Sequence, residues 1–210
     1  MVYAIAHIRG GMDKGKKWYQ DGKKKNKINT FEDFICSALY LKKERISGEI
    51  SIHGGSAGGL LVGATLNIRP DIFKAAVAEV PFVDVLNTIL DDTLPLTPPE
   101  WEEWGNPIKN IEDFQYISSY SPYDNIKEQD YPTLLVTSGL TDPRVTYWEA
   151  TKWVAKLRDK KTDTNPLFFK TYNEAGHGGM AGRYNQIKEV AFTYAFILWS
   201  HNLLKGSVSR

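Results

Sequence analysis

The chain has 210 residues, of which 42% are hydrophobic and 24% are charged, and its formal net charge is +1. This composition is typical of one folded domain with a sizeable core. The near-neutral charge excludes an overall electrostatic attraction to nucleic acid or to a membrane surface, and no apolar run approaches the ~20 residues of a membrane span.

The first predicted element is a buried strand over residues 2–8, a β-rich apolar run that includes His7. The residues before it lack the charged, apolar and small-residue order of a signal peptide, so we expect no secretion leader. Arg9, Gly10 and Gly11 end the strand. Residues 12–29 are polar and rich in lysine, which indicates a loop whose charges face solvent.

The spacing Thr30-x-x-Asp33 predicts the start of a helix. The helical period that follows predicts one buried face, formed by Phe31, Phe34, Ile35, Ala38, Leu39 and Leu41. Cys36, the one cysteine of the chain, falls in this helix, and we interpret it as a small packing residue. A single cysteine excludes an internal disulfide and fits a reducing compartment such as the cytoplasm.

Residues 50–66 carry the most informative pattern, a short apolar strand followed by Gly54-x-Ser56-x-Gly58 and then by helix formers. This is the pattern of a nucleophile elbow, in which a tight turn lifts the serine hydroxyl above the sheet. We expect both glycines to be required because the turn is crowded. The Ala57 amide at the start of the helix could donate to a developing oxyanion. The alternative interpretation is an ordinary glycine-rich loop.

Further strands and helices alternate along the rest of the chain. Strands are predicted over residues 73–80, 133–138 and 167–172, and helices over 147–158 and 187–204; residues 84–131 form a long, irregular insertion with helical pieces. Such alternation predicts a single α/β domain over residues 1–210 with a mostly parallel sheet flanked by helices.

Two more reactive residues follow predicted strands. Asp142 comes after the strand at 133–138 and His177 after the strand at 167–172, so the chain order is Ser56, Asp142, His177. This is the order of the α/β-hydrolase triad, in which the histidine takes the proton of the serine and the aspartate orients the imidazole. Alone, Asp142 could be a turn residue and His177 a loop histidine. The remaining histidines are interpreted as core residues (His7 and His53) and as a structural residue of the last helix (His201).

The sequence resembles the catalytic domain of the prolyl oligopeptidase family, in its oligopeptidase B branch. The matching stretches run nearly end to end and cover residues 4–11, 54–61, 80–85, 104–107, 121–125, 147–149 and 175–179. The resemblance implies an α/β-hydrolase fold that lacks, at its N-terminal side, the first strands and the β-propeller of the family. It implies a cytosolic serine peptidase that cuts short peptides after arginine or lysine and that needs no metal or organic cofactor.

The resemblance also assigns roles to residues. Ser56 would be the nucleophile, Asp142 the orienting acid, His177 the base, and Arg144 the residue that binds a substrate carbonyl. Glu100 and Glu102 would receive the basic side chain, with Trp101 and Trp104 able to stack on it. The alternative for Glu100 is structural, because Thr97-Pro98-Pro99-Glu100 also fits a helix-capping box.

One departure from the family leaves the function open. The family has a tyrosine that supplies a second oxyanion donor, and it belongs to the part that is missing here. The expected partners are therefore short basic peptides and a separate chain that carries the N-terminal half, with no nucleic acid and no membrane. The alternatives are an esterase of the same fold and a non-enzymatic remnant.

Overall fold

The computed structural model describes residues 1–204, and its centre is a sheet of four parallel strands. The strands lie side by side in the order in which they occur in the chain, β1-β2-β3-β4. Their bounds are β1 Ser51–Gly55, β2 Ala75–Glu79, β3 Thr133–Gly139 and β4 Leu167–Tyr172. All four predicted strands after residue 50 are therefore confirmed, and so is the parallel α/β architecture.

The connections between strands are helical, as a parallel sheet requires. The eight helices of the described residues are α1 Lys16–Gln20, α2 Ile28–Lys43, α3 Ala57–Ile68, α4 Val85–Leu90, α5 Thr97–Trp104, α6 Ile111–Tyr120, α7 Tyr147–Lys160 and α8 Arg183–Ser200. The insertion predicted between β2 and β3 thus consists of three helices, α4 to α6. The predicted domain runs to residue 210, and residues 205–210 lie outside the described residues.

Helices cover both faces of the sheet, which fits the apolar residues at successive positions of β2 and β3. On one face, the strand residues Ala76, Leu134 and Val136 pack with α2, α3 and α7 in the largest buried cluster. On the other face, Ala75, Val77 and Leu135 contact α8 through Phe196. A separate apolar cluster joins α3 to the three helices of the insertion.

The predicted strand at residues 2–8 is wrong. These residues form no secondary structure, and Val2, Tyr3 and Ile5 expose about 70% of their surface, at 70%, 70% and 69%. A strand needs a neighbouring strand for its backbone hydrogen bonds. Among residues 1–204 no strand pairs with the outer edge of β1, so the apolar run has no partner in the sheet.

The predicted capping box at Thr30 is also wrong, because α2 begins two residues earlier, at Ile28. The two side chains instead hold the segment before the helix. The Thr30 hydroxyl donates to the carbonyl of Arg9 at 2.8 Å, and the Asp33 carboxylate accepts from the backbone and from the guanidinium of Arg9. The contact lowers the pKa of Asp33, chiefly through the hydrogen bond from Arg9.

Several predictions of burial are reversed. Cys36 lies in α2 but is exposed, and His7 and His53 are exposed rather than packed in the core. Lys27 lies in the stretch predicted as a solvated loop, part of which is helix α1, yet it is buried, and its ammonium group sits 4.7 Å from the centre of the Trp104 ring. His201 follows the end of α8 and bonds to Ser51 and Glu49 at the start of β1, which fits the structural role predicted for it.

Across residues 1–204, none of the helices has the length and apolar character that crossing a bilayer demands.

Candidate active site

Ser56 lies in the turn between β1 and α3, and its backbone has the strained conformation of a nucleophile elbow. Its φ of 56° and ψ of −119° are unusual for a residue with a side chain. Two hydrogen bonds to the end of β2 and the residues after it stabilise this conformation. The Ser56 amide donates to the carbonyl of Glu79 at 2.9 Å, and the Ser56 carbonyl accepts from the Phe82 amide at 3.1 Å. The turn is therefore built by β1 and by the residues after β2 together.

Of three glycines near Ser56, two are required by close contacts and one is not. A methyl group on Gly54 would lie 2.2 Å from the carbonyl oxygen of Gly58, so that position must be glycine. The expected crowding at Gly58 itself is wrong, since a methyl group there would meet nothing within 4 Å. The crowded position is Gly59, where a methyl group would lie 2.5 Å from Pro81.

Asp142 and His177 are brought together by the ends of β3 and β4. The Nδ1 atom of His177 lies 2.7 Å from Oδ2 of Asp142, and the Asp142 side chain is fully buried. The other carboxylate oxygen, Oδ1, accepts from the amides of Arg144 and Val145 at 2.8 and 3.1 Å. With three donors around it, the carboxylate is held in one orientation and so holds one orientation of the imidazole.

The two loops that carry this pair fit closely against each other. Gly139 ends β3 where a side chain would collide with the carbonyl of Ala175, at 2.4 Å. The Thr141 amide and hydroxyl both donate to that same carbonyl, at 3.2 and 3.0 Å. The aspartate loop therefore positions the histidine loop through backbone contacts as well as through the ion pair.

The Ser56 hydroxyl forms no hydrogen bond with any of residues 1–204, and such contacts often tighten only when substrate binds. Ala57 is the first residue of α3, so its amide has no acceptor in a preceding turn of the helix. That amide lies at the positive end of the helix dipole, where a backbone N–H can donate to an oxyanion formed at the neighbouring serine.

A pocket of about 100 Å³ opens beside Ser56 and Ala57. Its walls come from α4, from α5 and from the loop at residues 143–146. Among its lining residues are Glu100, Trp104, Arg144 and Glu149. The structure therefore brings the nucleophile candidate, Arg144 and one of the two predicted glutamates to a single cavity.

Glu100 is oriented by Trp104, whose indole N–H donates to its carboxylate at 2.8 Å. Thr97 makes no capping bond; its hydroxyl donates to the carbonyl of Thr88 and ties α5 to α4. The alternative role of Glu100 in a capping box is therefore wrong. Trp101 is not among the residues that line the pocket, and its indole N–H donates to the carbonyl of Ile89.

Glu102 lies outside the pocket. Its side chain is 86% exposed, and its carboxylate lies 3.0 Å from the ammonium group of Lys24, whose hydrogen bond lowers the pKa of Glu102. Two further acids near the elbow are engaged elsewhere as well. Glu79 bonds to His53 and Thr193, and the buried Asp84 bonds to Lys152 and Asn87.

Sequence reasoning missed Glu149, which lines the pocket and exposes only 1% of its surface. Its carboxylate accepts from the amides of Val83 and Asp84 and from the Thr88 hydroxyl. Burial raises the pKa of Glu149 to about 7. Two signals were available: Glu149 belongs to the family-matching stretch at residues 147–149, and in an amphipathic helix its spacing matches the buried residues Trp153 and Leu157.

Comparison with known proteins gives consistent matches. The model of the family described as "Prolyl oligopeptidase family" matches residues 1–203. The chain is 52% identical to "Protease 2" of Moraxella lacunata and 51% identical to "Dipeptidyl aminopeptidase BI" of Pseudoxanthomonas mexicana, each over 200 residues. Each match covers 94% of this chain but only 29% and 28% of the two relatives, so the chain spans less than a third of their length.

The solved structure of oligopeptidase B from Leishmania major superposes with a TM-score of 0.92 at 47% identity, covering 97% of this chain and 29% of that one. Agreement at this level confirms the predicted α/β-hydrolase fold.

Proposed function

The chain belongs to the prolyl oligopeptidase family, and we propose that it is the nucleophile-bearing part of a serine oligopeptidase that cleaves short peptides after arginine or lysine. The observation that carries this proposal is the shared cavity: Ser56 in its strained turn and the carboxylate of Glu100 line one pocket. A nucleophile beside a partly dehydrated carboxylate is what cleavage after a basic residue needs.

In the proposed reaction, the hydroxyl of Ser56 attacks the carbonyl carbon of the basic residue, whose bond to the next nitrogen is then broken. His177 takes the hydroxyl proton and passes it to the leaving amine, and Asp142 stabilises the imidazolium that forms in between. The Ala57 amide donates to the oxyanion, and Arg144 binds a carbonyl of the substrate backbone. Water then hydrolyses the acyl-enzyme by the same proton transfers in reverse.

Because the chain spans less than a third of its relatives, we propose that the active form includes further sequence that completes the catalytic domain. That sequence would supply the second oxyanion donor and the cover over the active site, whether in one polypeptide or as a separate chain. We further propose that the enzyme acts in the cytoplasm on short basic peptides and needs no metal or cofactor, as the family resemblance implies.

A second candidate function is removal of dipeptides from peptide N-termini. It is favoured by the 51% identity to the Pseudoxanthomonas dipeptidyl aminopeptidase, which nearly equals the identity to Protease 2. The same pocket and nucleophile would serve both reactions. Acetylation of the substrate N-terminus separates them, because it would block a dipeptidyl aminopeptidase and leave an oligopeptidase active.

The test uses a chimera in which this chain replaces the matching 200 residues of the Moraxella relative. We expect it to hydrolyse an arginyl amide and to react with a fluorophosphonate probe, and Ser56→Ala to abolish both while the protein stays folded. Labelling of the Ser56→Ala chimera would overturn the assignment of the nucleophile. Hydrolysis of a neutral ester without the arginyl amide would indicate an esterase, and absence of labelling in the unaltered chimera would indicate a non-enzymatic remnant.

A further inference from the structure

Glu149 is a buried carboxyl group, and none of its hydrogen-bond partners is a cation. Its oxygen Oε2 accepts from the Val83 and Asp84 amides at 3.1 and 3.0 Å, and Oε1 accepts from the Thr88 hydroxyl at 2.7 Å. These three donors support the ionised form, whereas burial opposes it and raises the pKa of Glu149 to about 7. The carboxylate thereby ties α7 to the start of α4, the helix that forms one wall of the pocket.

The charged groups that face Glu149 leave its charge uncompensated. From α4 comes the carboxylate of Asp84, which is bound to the ammonium group of Lys152 one turn further along α7. From α5 and from the loop at 143–146, Glu100 and Arg144 line the same pocket, but Arg144 is exposed to solvent. The carboxylate of Asp84 lies near enough to raise the pKa of Glu149 further, after the larger effect of burial.

A third observation concerns another polar group of the pocket lining. The Thr146 hydroxyl also belongs to the lining, and it is buried without a hydrogen-bond partner among residues 1–204. A buried hydroxyl in this state costs stability unless a group that enters the pocket bonds to it. The lining therefore contains a buried carboxyl group and a hydroxyl without a partner, which is the chemistry that recognises a cationic N–H donor.

We propose that Glu149 is a second specificity-determining carboxylate of this pocket, and that its buried charge selects a cationic side chain in addition to Glu100. The inference rests on the proposed function, since it concerns the same pocket. A charge held away from water is costly when it is unpaired, and a guanidinium or ammonium group that enters the pocket removes that cost. A neutral side chain of the same shape does not.

The test compares two ligands that differ only in charge, Nα-acetyl-arginine amide and Nα-acetyl-citrulline amide, in which a neutral urea replaces the guanidinium. Their dissociation constants are measured by calorimetry on the chimera with the Moraxella relative, which carries Ser56→Ala so that the arginine ligand is not hydrolysed. The variants are Glu149→Gln, Glu100→Gln and, as a matched control that removes one surface carboxylate, Glu128→Gln, whose partner is the exposed Lys160.

We expect Glu149→Gln to weaken binding of the arginine ligand about fivefold or more, as expected for the loss of one charge interaction in a screened pocket, and to leave the citrulline ligand unchanged. Glu128→Gln should change neither. If Glu100→Gln lowers the preference for arginine and Glu149→Gln does not, the inference is overturned and the proposed function stands. If the chimera without a glutamate substitution shows no preference for the arginine ligand, the proposed specificity for basic residues fails, and the inference about Glu149 fails as well.

A pH series keeps the test independent of how well the glutamine variant folds. As pH falls from 8 to 6, Glu149 gains a proton. The preference of the same chimera, with Glu149 intact, for the arginine over the citrulline ligand should therefore decline by about fivefold or more. The His177→Gln variant is titrated in parallel to remove the histidine from the profile. A preference that stays constant over this range in the His177→Gln variant would overturn the inference.

Discussion

Residues that are neighbours in the sequence can serve different purposes, and Glu100 and Glu102 in α5 show how. Residues two apart on a helix point to different sides. Glu100 is held at the pocket by the indole of Trp104, and Glu102 faces solvent beside Lys24. The family resemblance named both glutamates, and only the helix geometry separates them.

We expect Glu100→Gln, in the chimera with the Moraxella relative, to lower kcat/KM for an arginyl amide. The loss should correspond to about 2–4 kcal/mol of transition-state stabilisation, the range found when a buried charge loses its partner. Glu102→Gln should change the same quantity by less than about 0.5 kcal/mol, since surface substitutions of this kind have small effects. Hydrolysis of a neutral ester is the control. Equal losses in the two variants would show that the helix is oriented differently during catalysis.

The Glu149 carboxyl should also be visible in the stability of the chain. Its pKa in the folded chain is about 7, raised from an ordinary value of 4.5, so between these pH values the folded state binds more protons than the unfolded state. The contribution of this group to the free energy of unfolding is therefore fully present below pH 4.5. It falls by roughly 3 kcal/mol as pH rises from 4.5 to 7. Urea unfolding at several pH values measures the slope, and Glu149→Gln should remove this part of it. An unchanged slope in the variant would contradict the assignment.

At the scale of elements, the sequence predicted the strands whose partners lie within the chain. The strands at β2 to β4 are short apolar runs between turn residues, and each one finds the next as its neighbour. The run at residues 2–8 has the same composition, but in the structure it pairs with no strand. Composition indicates whether a segment can form a strand, and the presence of a neighbouring strand decides whether it does so.

The elbow also depends on how closely α3 approaches the residues after β2. We expect Gly59→Ala to destabilise the chain by about 1–3 kcal/mol, because the added methyl group would press on Pro81, and overpacking has costs of this size. Gly58→Ala is the matched control one residue away. It has open space and should be neutral or stabilise the helix by up to about 1 kcal/mol. Thermal or urea unfolding of both variants measures the difference, and equal effects would mean that the close approach to Pro81 relaxes in solution.

The candidate site was predictable to the extent that it follows from chain order. Ser56, Asp142 and His177 could be named because each one follows a strand, and parallel strands bring their carboxyl ends to one edge. Glu149 could not be named, because it lies in a helix whose other inward residues are apolar, and only packing shows that it reaches the pocket. The distinction between Gly58 and Gly59 likewise depends on a contact with Pro81, which is distant in sequence.

At the scale of the whole molecule, exposed large apolar side chains occur in two regions of the described chain, and such patches commonly mark contact surfaces. One stripe runs along α8 and contains Tyr184, Ile187, Val190 and Tyr194, with exposures of 78%, 54%, 57% and 40%. A second region is the apolar run at the start of the chain, next to a sheet whose outer edge at β1 pairs with no strand in residues 1–204. In the proposed full enzyme, further sequence would cover such surfaces.

We therefore expect the isolated chain to self-associate at micromolar concentration and to show little peptidase activity, because loss of one oxyanion donor alone costs about 2.7–4 kcal/mol. Replacing Ile187 and Val190 together by lysine should shift the chain toward the monomer in sedimentation velocity. The matched control places two lysines at Ile46 and Ile111, which are exposed outside the α8 stripe, and it should leave association unchanged. A monodisperse isolated chain that cleaves an arginyl amide about 10 times per second, a rate typical of enzymes, would contradict the expectation.

The order of the strands has a consequence in time. The strands lie in the sheet in the order in which they are synthesised, with Ser56 after the first strand and His177 after the last. Ser56 therefore leaves the ribosome 121 residues (177 − 56) before His177. At about 5–20 residues per second this interval lasts roughly 6–24 s. During that interval the serine hydroxyl has no base, and a serine without its base is a weak nucleophile. In the proposed peptidase, the nucleophile would therefore stay inactive until the loop that carries His177 has been synthesised and has folded against Asp142.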